Sequence, residues 1–194
     1  SRAAAGQMTS AQRLAEYCDF LKIPNVAADP EGLHRNAQFI LGMMQARGIQ
    51  GHLLQDSGRV AVPAVYGEVK VPGAQQTLLF YAHYDGQPVN PAKWAVGLKP
   101  FEPVTIDAPI ESGGRIVGPC GAEVTQPGMR IAARGAADDR AGVMALLNAY
   151  QSLVESHRMP GVNLKFLFEG EEEAGSPHLK QLLTDEFFAT LQDA

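Results

Sequence analysis

Residues 77–86 read Thr-Leu-Leu-Phe-Tyr-Ala-His-Tyr-Asp-Gly, an apolar run that ends in polar residues. Such a run is typical of a strand that is buried on both faces, as strands of parallel sheets are. Residues 162–173 repeat the arrangement, because Val-Asn-Leu-Lys-Phe-Leu-Phe is followed by Glu-Gly-Glu-Glu-Glu. Between the two runs, apolar residues recur at helical intervals over 139–156. Strands that alternate with helices predict an α/β fold, a three-layer sandwich around a mostly parallel central sheet.

Local signals predict where further elements begin. Thr9 and Gln12 have the spacing of a capping box, and Asp29-Pro30 combines an N-cap with a proline at the first helical position. Ser176-Pro177 has the same pattern and predicts another helix start. Alternating apolar residues over 59–65 predict a half-buried strand.

The amino-acid composition limits the classes of partner that the protein can bind. The 194 residues carry a formal net charge of −5, which argues against nucleic acid and anionic membrane surfaces as partners. No apolar run in the sequence is long enough to span a bilayer. Cys18 and Cys120 form no CxxC pair, and the sequence leaves open whether they form a disulfide bond. The first six residues lack the apolar core of a signal peptide, so the sequence leaves the compartment open, with the cytoplasm slightly favoured and the periplasm next.

Three polar clusters lie at or beside the ends of the predicted strands, in residues 83–85, 138–139 and 169–173. Ligands of open α/β sheets bind beyond the carboxyl ends of the strands, so we expect these clusters to converge. In the first cluster, the His83 imidazole is a good zinc ligand, and the Asp85 carboxylate is placed to orient the ring.

The two acidic clusters suit metal-assisted hydrolysis. Asp139 opens a helix and is interpreted as its N-terminal cap, whereas Asp138 can turn toward a cation. Arg134 or Arg140 is expected to compensate part of the charge of this acidic pair. Among the four glutamates of 169–173, one can ligate a metal while another acts as the general base on water.

Together, residues 83–88, 134–140 and 169–176 resemble the three N-terminal motifs of the M20 metallopeptidases. These are co-catalytic zinc enzymes that include dipeptidases, carboxypeptidases, desuccinylases and deacetylases. Residues 94–103, which end in Pro-Phe-Glu-Pro, are similar to the carnosinase-like dipeptidase branch. The resemblance covers roughly residues 50–194, and three motifs in this order and spacing make it specific.

By position within the motifs, the resemblance implies roles for five residues. His83 binds one zinc ion, Asp138 bridges two, and Glu173 binds the second. Asp85 orients His83, and Glu172 is the general base that deprotonates the water held by the metals. Because the site is rich in carboxylates, Mn²⁺ or Co²⁺ could replace Zn²⁺.

The sequence also departs from the pattern of the family. Ala133 stands where the family usually has glycine, and Arg140 stands where lysine is common. Residues 119–130 resemble an insertion. None of these departures removes a proposed ligand, and Glu169 and Glu171 are expected to be structural.

The resemblance implies that residues 1–194 are the N-terminal portion of a metallopeptidase catalytic domain, without the lid or dimerisation domain and without the C-terminal catalytic part. Each zinc ion then keeps only two protein ligands, so we expect weak metal binding and little turnover from this chain alone. The longer enzyme is expected to be a homodimer that hydrolyses the peptide or amide bond of a dipeptide or acyl-amino acid.

A non-catalytic α/β module that binds a ligand through the same acidic cleft is the alternative, and it needs no metal. A phosphate-ester hydrolase is disfavoured because the sequence has no glycine-rich phosphate loop. A serine nucleophile is equally disfavoured because the sequence contains no GxSxG motif.

Overall fold

The computed structural model describes residues 7–55, 62–121 and 126–183. The helices are α1 (Ser10–Lys22), α2 (Pro30–Ala46), α3 (Arg140–Glu155) and α4 (Leu179–Leu182). The strands are β1 (Gln50–Leu54), β2 (Ala64–Val69), β3 (Thr77–His83), β4 (Val104–Ile106), β5 (Ile116–Pro119), β6 (Arg130–Ala132) and β7 (Asn163–Glu169). Short 3₁₀ turns cover Pro91–Lys93, Ile110–Ser112 and Glu172–Ala174.

A four-stranded sheet in the order β1-β2-β7-β3 forms the centre of the fold. β3 and β7 run parallel, and their register places His83 opposite Glu169, so the two apolar runs end side by side. β2 is antiparallel to both β1 and β7. The α/β fold class is confirmed, but the described sheet is mixed rather than mostly parallel. The connection from β1 to β2 is too short for a parallel crossover and therefore reverses the chain.

Helices cover both faces of this sheet. On one face, α2 and α3 pack against the strands and bury a core that includes Leu33, Ile40, Leu147, Phe166 and Phe168. On the other face, Leu182 of α4 packs in a second cluster with Leu54, Ala64, Tyr66 and Leu167. The three layers predicted from the sequence are therefore present.

A small antiparallel sheet in the order β5-β4-β6 lies between β3 and α3 along the chain. A disulfide bond joins Cys18 of α1 to Cys120, directly after β5. The pairing that the sequence left open is thus made, and it fastens α1 to the small sheet.

The predicted caps of the first two helices are confirmed. The Thr9 hydroxyl and the Gln12 side chain each accept the other residue's backbone N–H, which is the reciprocal capping box. Asp29 accepts the backbone N–H of Gly32 at the start of α2. Each cap satisfies N–H groups that have no partner inside the helix.

The predicted helix start at Ser176-Pro177 is wrong by two residues. Ser176 has a φ of 52°, so the chain is still turning there, and α4 begins at Leu179 with His178 as its N-cap. The strand predicted over 59–65 lies partly outside the described residues, and β2 begins at Ala64. Within the described ranges, no helix has the length and apolar character needed to cross a membrane.

Candidate metal-binding active site

The structure brings the predicted site residues together at the carboxyl ends of β3 and β7. Two of them come from β3 and the residues that follow it, two from the turn after β7, and one from the loop that precedes α3. In chain order they are His83, Asp85, Asp138, Glu172 and Glu173. The convergence expected from the three polar clusters is therefore present in the fold.

His83 lies between carboxylates on both sides of its ring. Its Nε2 is 3.1 Å from Asp138 Oδ1 and 3.7 Å from Glu172 Oε2. Its Nδ1 is 3.3 Å from Asp85 Oδ1, within ion-pair distance but not aligned for a hydrogen bond. The side chain is mostly buried, which lowers the pKa, but Asp85, Glu172 and Asp138 outweigh burial and raise the His83 pKa to about 9.

Asp85 ties the first motif to the third. The residue is fully buried, and its two carboxylate oxygens accept the backbone N–H groups of Glu172 at 3.1 Å and Glu173 at 3.0 Å. The same carboxylate faces the His83 ring. One buried side chain therefore fixes the turn after β7 relative to the imidazole, which is a wider role than the orientation of His83 alone.

The two aspartates of the second motif make different contacts. Asp139 is the N-cap of α3, because its Oδ1 accepts the backbone N–H of Gly142 at 3.2 Å. Its Oδ2 also accepts the backbone N–H of His83 at 3.3 Å. The Asp138 side chain is 75% exposed and turns toward His83. The peptide bond between the two aspartates is cis.

The two glutamates proposed for catalysis and metal binding differ in their contacts. Glu172 is 45% exposed, and its carboxylate reaches toward His83. The Glu173 carboxylate accepts a hydrogen bond from the side chain of Gln87. Sequence reasoning assigned Gln87 no role, although the residue lies within the first motif, four positions after His83.

The other two glutamates of the cluster contact residues of the surrounding scaffold. Glu169 is buried and accepts a hydrogen bond from the Tyr81 hydroxyl at 2.5 Å. Burial and this carboxylate raise the Tyr81 pKa. Glu171 lies 3.0 Å from His178 Nδ1, which links the turn after β7 to the start of α4.

Arg140, one of the two arginines considered as partners of the acidic pair, binds backbone carbonyls. Its guanidinium is fully buried and donates to the backbone carbonyls of Phe20 at 2.7 Å, Ile23 at 2.8 Å and Arg134 at 2.7 Å. Burial lowers the Arg140 pKa to about 9, so the group stays charged at neutral pH. The guanidinium binds carbonyls at the C-terminal end of α1, where the helix dipole favours a positive charge.

The donor pair formed by His83 and Asp138 fits a divalent metal. Zinc binds imidazole nitrogen and carboxylate oxygen at about 2.0–2.2 Å, so two ligands of a tetrahedral ion lie about 3.3 Å apart. The 3.1 Å between His83 Nε2 and Asp138 Oδ1 is of this size. A buried carboxylate beside the opposite ring nitrogen, here that of Asp85, is the usual support of a ligating histidine.

The pair is incomplete as a metal site by itself. Across residues 7–55, 62–121 and 126–183, no group of three or more His, Cys, Asp or Glu side chains is arranged to hold one ion. Catalytic zinc usually has three protein ligands. The geometry is thus that of two prearranged donors that need further ligands.

Known proteins with related sequences match this chain over part of their length. The Cys-Gly metallodipeptidase dug1 of Schizosaccharomyces pombe is 28% identical over 182 residues, which cover 86% of this chain and 33% of the relative. The Beta-Ala-His dipeptidase of Mus musculus is 29% identical over 133 residues, which cover 66% of this chain and 22% of the relative. The chain therefore spans a third or less of the length of these curated relatives.

A solved structure matches the fold as well as the sequence. The M20 family metallo-carboxypeptidase Sso-CP2 from Sulfolobus solfataricus is 32% identical, with a TM-score of 0.66 over 91% of this chain and 34% of that protein. The model of peptidase family M20/M25/M40 matches residues 79–191, which are more than half of the chain and contain all three motifs. The chain therefore belongs to peptidase family M20/M25/M40, a family of metal-dependent hydrolases.

Proposed function

We propose that this chain is the N-terminal, metal-binding portion of the catalytic domain of a longer metallodipeptidase or aminoacyl hydrolase. The observation that carries the proposal is the position of His83, with Nε2 facing Asp138 and Glu172 and Nδ1 facing buried Asp85. The proposed reaction is hydrolysis of the peptide or amide bond of a dipeptide or acyl-amino acid. The names of the relatives, a Cys-Gly metallodipeptidase and a Beta-Ala-His dipeptidase, support a dipeptide as the substrate.

In this proposal, His83 and Glu173 would each hold one of two metal ions in the complete enzyme, and Asp138 would be a ligand to both. Zinc is the expected ion, and Mn²⁺ or Co²⁺ are alternatives because two of the three ligands are carboxylates. When bound, a divalent metal supplies Lewis acidity that polarises the scissile carbonyl and makes water more acidic. The remaining ligands come from the part of the enzyme that lies outside this chain.

Glu172 is the proposed general base. Its carboxylate is half-exposed and lies 3.7 Å from His83 Nε2, so it is both open to solvent and close to the donors. It takes a proton from the attacking water and passes that proton to the leaving amine as the C–N bond breaks. The water oxygen forms the new bond to the carbonyl carbon, so the products are a carboxylic acid and an amine, and the acid then loses its proton to solvent at neutral pH.

Asp85 is the proposed positioning residue of this machinery. Because it accepts the N–H groups of both Glu172 and Glu173, it holds the base and one ligand in a fixed relation to His83. Charge-assisted bonds to a buried carboxylate are among the stronger hydrogen bonds in proteins. In this proposal, the turn after β7 therefore keeps its conformation before substrate or metal binds.

We also propose an oxidising compartment, such as the periplasm, instead of the cytoplasm that the N-terminal residues favoured. Support comes from the Cys18–Cys120 disulfide bond, because such bonds are rare where thiols are kept reduced. Alkylation of free thiols in the protein taken directly from its source cells tests this. Two blocked cysteines are expected, and two free thiols would contradict the proposal.

Calorimetric titration with Zn²⁺ tests the proposed function. We expect saturable binding to the wild-type chain, its loss in Asp138→Asn, and its retention in Glu172→Gln, because the base is not a ligand. Glu171→Gln is the matched control, since this neighbouring glutamate contacts His178. In a longer chain that contains these residues, Glu172→Gln is expected to stop dipeptide hydrolysis without releasing metal.

Absence of zinc binding from the longer chain, or binding that Asp138→Asn leaves unchanged, would contradict the proposal. Either result favours the non-catalytic α/β module, which uses the acidic cleft without a metal. Ligand binding by that module would be insensitive to Glu172→Gln.

A further inference from the structure

The segment that carries Asp138 is held by contacts outside the proposed site. We call residues 133–139, which join β6 to α3, the Asp138 loop. The Asp138 side chain is mostly exposed, so its position depends on the backbone of this loop. Two residues earlier, the Ala136 carbonyl accepts a hydrogen bond from the Tyr17 hydroxyl at 2.6 Å. None of the roles assigned above uses Tyr17.

Tyr17 is well placed to act as a fixed donor. It lies on α1, and burial raises its pKa to about 12, so the hydroxyl keeps its proton throughout the physiological range. Its partner is a backbone carbonyl in a run of turn residues, where Arg134 N–H donates to the Pro100 carbonyl at 2.7 Å and Ala136 N–H to the Ala133 carbonyl at 3.4 Å. A single bond at this point therefore removes freedom that the loop would otherwise have.

α1 is fixed independently of the Tyr17 hydroxyl. The next residue, Cys18, is covalently joined to Cys120. Arg140, the first residue of α3, donates to the Phe20 carbonyl at 2.7 Å. Ion pairs fasten the same helix to its neighbours, namely Arg13 with Glu155 and Glu16 with Arg47. The donor is thus carried by a rigid helix.

We propose that Tyr17 is a positioning residue for Asp138, and that α1 supports the second motif through this hydrogen bond. The bond fixes the Asp138 loop at Ala136, which keeps Asp138 Oδ1 at 3.1 Å from His83 Nε2. Without the hydroxyl, His83 and Asp138 are both still present, but they spend less time at the distance that suits a metal ion. The inference rests on the proposed function, because it takes Asp138 as a metal ligand.

Titration with Co²⁺, followed by its visible absorption, tests the inference without any measurement of turnover. Tyr17→Phe removes one oxygen atom and keeps the ring. We expect its Kd for Co²⁺ to rise about tenfold. Substitution of residues that support metal ligands typically weakens metal binding by about 10- to 100-fold, and tenfold is the lower end of that range. The absorption band is also expected to change, because the ligand field depends on where Asp138 lies. Tyr66→Phe is the matched control, since it removes a hydroxyl that contacts Glu68 on β2.

Hydrogen exchange of the metal-free proteins separates positioning from a general loss of stability. Amides of the Asp138 loop are expected to exchange faster in Tyr17→Phe, while those of β3 and β7 are unchanged. A merely structural role would lower the unfolding midpoint but leave the Kd and the loop exchange of the folded protein as they are.

Two outcomes separate this inference from the proposed function. Failure of the wild-type chain and of the longer enzyme to take up Co²⁺ refutes the proposed function, and with it the role of Tyr17 toward a metal. Uptake by the wild-type chain with an unchanged Kd and unchanged loop exchange in Tyr17→Phe refutes the inference alone.

Discussion

Replacement of Arg140 by methionine tests how the second motif is attached to the rest of the fold. The guanidinium makes short bonds to the carbonyls of Phe20, Ile23 and Arg134, at 2.7, 2.8 and 2.7 Å. Hydrogen bonds from a charged donor contribute about 1.5–3 kcal/mol each, but the sum overstates the loss because removal of a buried cation also recovers its desolvation cost. Each carbonyl left without this donor costs about 1–3 kcal/mol, so we expect Arg140→Met to lower the free energy of unfolding by about 3–5 kcal/mol.

Urea denaturation followed by far-ultraviolet circular dichroism at pH 7 measures this change, since Arg140 is charged there. Arg35→Met is the matched control. Arg35 pairs with Glu31 one helical turn away on the exposed surface of α2, and such a pair contributes only about 0.3–0.5 kcal/mol. A loss in Arg140→Met no larger than in the control would refute the account of the buried guanidinium.

Three further predictions address the site, the disulfide bond and the effect of pH. Asp85→Asn is expected to weaken Zn²⁺ binding by about 10- to 100-fold, because an amide cannot accept both N–H groups of the turn after β7; wild-type affinity in calorimetry would contradict this. The double variant Cys18→Ser/Cys120→Ser removes a disulfide bond between residues 102 positions apart, which constrains the unfolded chain. Its free energy of unfolding, measured in urea, is expected to fall by about 3–5 kcal/mol. No loss would mean that the wild type is reduced. The Tyr17 pKa is raised from 10.0 to about 12, so the folded state holds this proton more tightly, and the resulting stability is complete below pH 10 and lost as the pH rises through 12. Between those two pH values, the free energy of unfolding of Tyr17→Phe, measured in urea, should fall less steeply than that of the wild type. Equal slopes for the two proteins would contradict the raised Tyr17 pKa.

The helix caps that sequence reasoning predicted are set by contacts close along the chain. The caps by Thr9, Asp29 and Asp139 each join residues three positions apart. The two apolar runs became β3 and β7, and their parallel register brings His83 beside Glu169. Convergence of the first and third motifs then follows from the sheet alone.

The parts that could not be predicted depend on contacts between distant segments. Arg140 reaches carbonyls about 120 residues earlier, and the Tyr17 hydroxyl reaches a carbonyl 119 residues later. Nothing in the local pattern around Arg140 distinguishes a cation that faces Asp138 from one that faces α1. Similarly, the helix signal at Ser176-Pro177 is overridden, because the turn after β7 continues through Ser176 before α4 begins.

These contacts divide the candidate site into two halves with different supports. His83, Asp85, Glu172 and Glu173 lie at or just beyond the ends of the paired strands β3 and β7, and the Asp85 carboxylate joins the two segments by accepting two hydrogen bonds. Asp138 belongs to the other half, and its loop is held by α1 and the small sheet. The halves meet at His83, through its backbone N–H to Asp139 and its Nε2 to Asp138. A metal held by His83 and Asp138 would bridge the halves, so loss of the Tyr17 hydroxyl should weaken metal binding without disturbing the turn that carries the general base.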